Sequence, residues 1–249
     1  MDTREIRLQK FYKRCIIYLL SSLFWTTPTV YAKKPETIVL LHGLGRTSLS
    51  MYLLKIQLEN IGYTVVSEGY ASTDGSIKEH ADWLDKLIND CSRKSEKIHF
   101  VTHSLGGIIL RFHLKIKKYP NMGRVVMLSP PNKGSQVADF LRDWSLFKLL
   151  MGPSGQEIGT GPGSIPNKLG PVAFELGVIT GDVSFNPFTS LLIPGPDDGK
   201  VSVENARVKG MKDFIVLPHS HTFIMNSPEV IDQVILFLQT GNFSHPDKD

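Results

Sequence analysis

The stretch "IHFVTHSLGGIILRF", Ile98 to Phe112, decides the reading of this chain. Apolar, β-favouring residues from Ile98 to Val101 predict a strand, and the apolar pattern after Gly107 predicts a helix running to Tyr119, where Pro120 stops it. The polar knot Thr102-His103-Ser104 must therefore turn the chain sharply, and Gly106 and Gly107 supply the small residues such a turn needs. Lys115, Lys117 and Lys118 suit the negative end of that helix.

The same alternation extends outward in both directions. Strands are predicted at Thr37–Leu41, Tyr63–Ser67, Arg124–Leu128, Gly177–Thr180 and Asp213–Leu217. Between them, Leu49, Leu53 and Ile56 mark one helix face, with Gly62 placed to end that helix. Ser76 with Glu79 three residues on forms a capping box before the stripe Ile77, Ala81, Leu84, Ile88 and Cys91. Cys91 is accordingly expected in the core. A last helix opens at Ser227-Pro228, carries Ile231, Val234, Ile235 and Leu238, and stops at Gly241. Strand alternating with helix means an α/β fold: a mostly parallel sheet of about six strands, covered by helices on both faces. Regularity fails between Pro130 and Pro196. One helix is expected there, Ser135–Leu150, bearing "FLRDWSLFKLL", followed by the tract "GPSGQEIGTGPGSIPNKLGP". Residues 131–190 thus read as an irregular cap inserted at the carboxyl edge of the sheet, where open α/β folds build their ligand crevice. The "WSLFKLL" helix reads first as a packed helix and second as a lid.

Ser104 at a strand-to-helix turn fits the nucleophile-elbow pattern G-x-S-x-G, except that Thr102 replaces the first glycine. A serine there is also an ordinary helix cap, and five residues alone leave both readings open. Other segments tip the balance. Upstream, "VLLHGLGRTS" ends a strand in His42-Gly43-Leu44-Gly45, a loop placed to offer backbone N–H groups to a developing oxyanion, with Leu44 and Leu105 as the expected donors. A dinucleotide loop fails at its third glycine, because Arg46, Thr47 and Ser48 follow. Downstream stand "IPGPDDGKVSVENAR" and "FIVLPHSHTFIMNSPEV", which supply a carboxylate and a base in the chain order Ser, Asp, His. Two residues apart in extended chain point the same way, so His219 and His221 both remain candidates. Asp198 competes with Asp197 and, more remotely, Asp182. His42, His80, His99, His103, His113 and His245 read as packed, loop-stabilising or surface residues. None has metal-ligand spacing, and no metal or cofactor is implied.

With these motifs the chain resembles the α/β-hydrolase superfamily, and within it compact bacterial serine lipases and esterases, over almost everything after residue 35. The resemblance implies an Asp-Gly-x-Val acid segment, reproduced by Asp198-Gly199-Lys200-Val201, and a histidine shortly before the last helix, which His221 fits better than His219. It implies a Ser104-Asp198-His221 triad acting by nucleophilic acyl transfer on a small-molecule or lipid acyl ester. Thioesterase, amidase and acyltransferase chemistry use the same triad, and a binding or membrane-tethered scaffold on this fold is the contrasting class.

Composition bounds the rest. At 249 residues with 41% hydrophobic side chains, one large core is expected. The net charge of +4 is concentrated at the start. Beyond residue 32, 23 basic side chains face 22 acidic ones, too little for a nucleic-acid partner. The basic opening, the apolar "CIIYLLSSLFW" of Cys15–Trp25 and the small-residue site ending at Ala32 read as a signal peptide over residues 1–32. The runner-up is an uncleaved anchor in the inner membrane, although the apolar run falls short of the about 20 residues of a span. Residues 33–249 form the expected hydrolase domain of an exported bacterial protein, periplasmic or secreted. Membrane-surface association is a further expectation, and nothing specifies an oligomeric state.

Overall fold

The structure, a computed structural model, describes residues 34–245. The leader expectation for residues 1–32, with Cys15, lies outside the described residues. Six parallel strands form one sheet: β1 (Thr37–Leu41), β2 (Thr64–Val66), β3 (Ile98–His103), β4 (Met122–Leu128), β5 (Leu176–Gly181) and β6 (Asp213–Leu217), in the order β2-β1-β3-β4-β5-β6. The order reverses between β1 and β3, so the loops leaving these two strands diverge and open a crevice at the carboxyl edge.

Side chains alternate across this sheet, as strand geometry requires. Val39 and Leu41 of β1, with Phe100, Val125, Met127 and Val178, pack beneath α2 (Ile77–Lys94) and α3 (Leu105–Ile116). Ile38 and Leu40, with Val101, Val126, Leu128 and Ile179, face α1 (Tyr52–Asn60) and α9 (Pro228–Thr240) on the other side. With both faces covered, the strands read as continuous apolar runs in sequence. The capping box forms as expected: Ser76 Oγ accepts from Glu79 N while the Glu79 carboxylate accepts from Ser76 N at 2.8 Å. Cys91 is buried in the core. In α9, Ser227 caps the amino end, Pro228 opens the first turn, and Gly241 closes the helix at φ 81°.

Several sequence expectations change. The helix after Ser104, expected to run to Tyr119, ends at Ile116, because Lys117 turns extended at φ −115° and ψ 145° before Pro120 is reached. The buried face of α1 is Met51, Leu54 and Leu58, whereas Leu49 and Leu53 are 78% and 50% exposed. Both sets satisfy helical spacing, and the 3-10 turn at Ser48–Met51 that feeds the helix sets the phase that meets the sheet. The single helix expected at Ser135–Leu150 is two: α4 (Gln136–Leu141) and α5 (Ser145–Glu157), separated at the extended Trp144. The glycine-rich tract that follows also holds helix. Gly152, at φ 60° and ψ −165°, breaks α5 internally, and Pro153 opens its second half. That half is anchored, since Ser154 Oγ donates to Gly75 O at 2.6 Å and the Glu157 carboxylate accepts from Ile77 N at 2.7 Å. Three short helices complete the carboxyl-edge loops: α6 (Ile165–Leu169), α7 (Pro187–Ser190) and α8 (Val203–Ala206).

Candidate active site

Ser104 stands between β3 and α3 at φ 52° and ψ −120°, a conformation non-glycine residues rarely hold. The surroundings impose it. Ser104 N donates to Leu128 O at 2.9 Å, and α3 lies so close to β1 that a Cβ on Gly106 would meet Leu41 O at 2.7 Å. The Thr102 departure finds its complement here. Thr102 is fully buried in β3, and a Cβ on Gly107 would sit 3.2 Å from its Oγ1, so the second glycine of the pair makes room for the threonine.

The structure brings Ser104, His221 and Asp198 into one hydrogen-bonded line. Ser104 Oγ donates to His221 Nε2 at 3.0 Å, and His221 Nδ1 donates to Asp198 Oδ2 at 2.8 Å. The three are 9%, 4% and 2% exposed. Asp198 arrives on the loop after β5, where Gly199 takes φ 96°. Its second oxygen accepts from Lys200 N at 3.0 Å and Val201 N at 2.8 Å, and its main-chain carbonyl accepts from His221 N at 2.9 Å. Burial alone would raise this carboxyl. The His221 charge and hydrogen bond, together with the amide donors, outweigh it and hold the group below its ordinary value.

The alternatives left open by the sequence are placed elsewhere. Asp197 Oδ1 accepts from Gly199 N at 2.7 Å and Ser190 Oγ at 2.9 Å, which shapes the loop. Asp182 is exposed. The His219 ring is held by Ser227 Oγ at 2.9 Å and the Glu229 carboxylate at 3.1 Å, away from Asp198. Among the described residues, no acceptor is bonded to the amide of Leu44 or Leu105, the two expected oxyanion donors. The Leu44 loop is braced from below: His42 Nδ1 donates to Gly43 O at 2.9 Å, its ring stacks on Tyr70 at 4.2 Å, and Tyr70 OH donates to His42 O at 2.7 Å.

His103, expected to be a packed, loop-stabilising or surface residue, is packed and also bonded to the His221 loop. It is 2% exposed, its Nε2 donates to His221 O at 3.0 Å, and a Cβ on Gly43 would lie 2.8 Å from its Nδ1. Burial chiefly, and the neighbouring His221, push its pKa well below the usual histidine value, so it stays a neutral donor. Its position directly before Ser104 in the elbow was the one available sequence signal.

Above these groups lies a cavity of about 260 Å³. Val137, Leu141, Phe147, Met151 and Ile158 form an apolar wall, and Arg46 and Lys200 are the cationic groups of its lining. Helix α5 is thus divided. Phe147 and Met151 face the cavity, while Leu146 and Leu149 are 62% and 79% exposed, an outcome that neither a fully packed helix nor a free flap describes. Ser135 Oγ donates to Lys200 O at 2.8 Å, fastening α4 to the acid loop.

Comparisons with known proteins agree with this architecture. Residues 32–133, less than half of the chain, match the family described as "Putative serine esterase (DUF676)". No curated protein matches the sequence. The mature form of Bacillus licheniformis lipase BlEst2 is similar in structure, with a TM-score of 0.65 at 19% identity over 85% of this chain and 95% of that one. The Paleococcus ferrophilus monoacylglycerol lipase gives 0.56 at 18% identity, covering 84% and 96%. Phospholipase PlaB from Legionella pneumophila gives 0.57 at 20% identity, covering 69% of this chain and 45% of its own. The chain has the α/β-hydrolase fold, and it resembles bacterial lipases and esterases of that fold.

Proposed function

We propose that the protein is a serine carboxylic-ester hydrolase of the lipase and esterase type. The observation that carries this reading is the buried line Asp198–His221–Ser104 at the foot of an apolar cavity, beside the two unengaged amides. The likeness of residues 32–133 to a serine esterase family and of the fold to lipases supports it. In this mechanism His221 Nε2 takes the Ser104 proton as Oγ bonds to the ester carbonyl carbon. The oxyanion that forms receives the Leu44 and Leu105 amides, each contributing roughly 3 to 4 kcal/mol to lowering the barrier. His221 returns the proton to the departing alkoxide, the C–O bond breaks, and an acyl-Ser104 remains. Water, deprotonated by His221, then releases the acid and restores the serine. Asp198 keeps the imidazole proton on Nδ1 and stabilises the charged ring.

The exposed Trp144, Leu146 and Leu149 beside the cavity favour long-chain acyl esters presented at a lipid surface. An exported enzyme, periplasmic or secreted, goes with this reading. Amino-terminal sequencing of the chain recovered from fractionated cells tests it, with cleavage after Ala32 expected.

A fluorophosphonate probe tests the chemistry. The folded wild type should be labelled and Ser104→Ala should not; no labelling of a folded wild type, or labelling that survives the substitution, defeats the reading. A series of p-nitrophenyl esters of increasing acyl length then separates esterase from lipase.

A further inference from the structure

The apolar wall of the cavity accounts for an acyl chain, but not for the two cations that also line it. Arg46 leaves the loop after β1, and its Nη2 donates to the carbonyl of Thr222, the residue after His221, at 3.1 Å. Lys200 lies two residues beyond Asp198, and its backbone N–H donates to that carboxylate. Both residues line the same cavity as Ser104 and His221, Arg46 half-buried and Lys200 exposed at its rim to solvent. Among the described residues, neither makes an ion pair within 4.0 Å, and no aspartate or glutamate lines the cavity. The crowding of surrounding protein lowers the Lys200 ammonium from its usual value, with the like charge of Arg46 acting in the same direction and Asp198 partly opposing it. The two like charges repel each other, and Asp198 offsets only part of that repulsion. An anion in the cavity would pair with both.

The direction of catalysis says which part of the substrate carries it. His221 gives its proton to the departing oxygen, so the alcohol portion of the ester leaves on the histidine side; Arg46 is bonded there through Thr222 O, and the Lys200 main chain is bonded to Asp198, the partner of His221. The acyl chain takes the wall built by α4 and α5. We propose that Arg46 and Lys200 form a two-cation site for a phosphate or carboxylate on the alcohol portion, making the protein selective for acyl esters of acidic alcohols, of which an acylglycerol phosphate is the simplest lipid example. This rests on the ester-hydrolase reading and adds the substrate class to it. The bonds made and broken are those given above: one acyl ester and one water yield one fatty acid and glycerol phosphate, and the phosphoester bond is untouched.

The test compares kcat/KM of the full-length protein for 1-butyrylglycerol 3-phosphate and 1-butyrylglycerol, a soluble pair that differs only in the anionic group. The wild type should prefer the phosphate by roughly 10-fold or more at low salt, as charge-assisted hydrogen bonds to an anion predict. The preference should shrink in about 1 M salt, where the Debye length falls to roughly 3 Å. Lys200→Gln and Arg46→Gln should each reduce the ratio several-fold, while Lys200→Arg and Arg46→Lys should keep most of it. The lauroyl pair, assayed below and above micelle formation, separates a phosphate read in the site from one presented by a lipid surface. A preference confined to micelles would overturn the proposal. So would a wild-type ratio near one, or variants that slow both esters equally, since the cations would then serve the reaction and not its selectivity. If neither ester is hydrolysed and the probe fails to label Ser104, the hydrolase reading itself falls and takes this one with it.

Discussion

The sheet with its four long flanking helices and the stretch from Pro131 to Phe174 follow different rules; the cap expected over 131–190 is cut short because β5 (Leu176–Gly181) belongs to the sheet itself. In the first, every residue of β1, β3 and β5 is buried, and glycines sit where backbones nearly touch. In the second, Phe140, Trp144, Leu146, Leu149 and Leu150 are all more than half exposed; glycines there are of both kinds, Gly134 and Gly152 pressed against backbone and Gly161 and Gly163 in open space. The comparison separates what holds the reacting groups in place from what shapes the space above them. Precision of about an ångström is needed in the first, whereas the second needs only an apolar surface of suitable size.

The largest effects should come from groups held by the sheet. Asp198→Asn is expected to lower kcat by about 10⁴, through loss of the correct imidazole tautomer. Asp197→Asn, which loosens a loop, should act mainly on melting temperature. Steady-state kinetics beside thermal melts distinguish them, and equal losses of turnover would break the assignment.

Next come the glycines. Gly106→Ala drives a Cβ into Leu41 O and should destabilise the fold by about 1 to 3 kcal/mol in urea melts. Gly163→Ala, with nothing within 4 Å, should stay within about 0.5 kcal/mol of wild type. Similar costs at both positions would mean that the close approach of α3 to β1 is not what Gly106 serves.

A pH effect of intermediate size belongs wholly to the sheet region. His42, His80, His99, His103 and His113 are all buried, and burial is the main cause that lowers each below the ordinary value of about 6.5. The unfolded chain regains that value and binds protons first as pH falls. Their contribution to stability is therefore complete above about pH 6.5 and is lost progressively as the pH falls through the lowered native values. Denaturant midpoints should drop between pH 7 and 5 even though most carboxylates stay ionised; a flat profile would mean that these imidazoles are not held neutral.

The smallest effect is expected in the insertion. Leu149→Ser should change stability by less than about 0.5 kcal/mol because its side chain is 79% exposed. If the exposed face of α5 meets lipid, the same substitution should slow hydrolysis of micellar esters more than of soluble ones.

The uneven legibility of the sequence has the same origin. Continuous apolar strands, the Ser76–Glu79 capping box, and the Ser227-Pro228 start and Gly241 stop of α9 are local signals, and their elements formed where those signals placed them. The phase of α1 was not local: 49, 53, 56 and 51, 54, 58 are both helical stripes, and only contact with the sheet chooses between them. The break at Trp144 was hidden for a similar reason, because apolar spacing continues across a turn that packing creates.

By itself the sequence determined the parallel α/β order, the elbow at Ser104 and the presence of an acid and a histidine in the order such a site requires, because strand period, helix caps and glycine turns are written in neighbouring residues. Local pattern left Asp197 beside Asp198 and His219 beside His221, and only the family resemblance favoured Asp198 and His221, since a one- or two-residue shift barely alters local pattern but changes which side chain reaches Ser104. Nor did it show His103 tied to the His221 loop, or Arg46 and Lys200 facing one cavity. Those meetings join residues more than a hundred positions apart, and only the closing of the sheet edge brings them within reach.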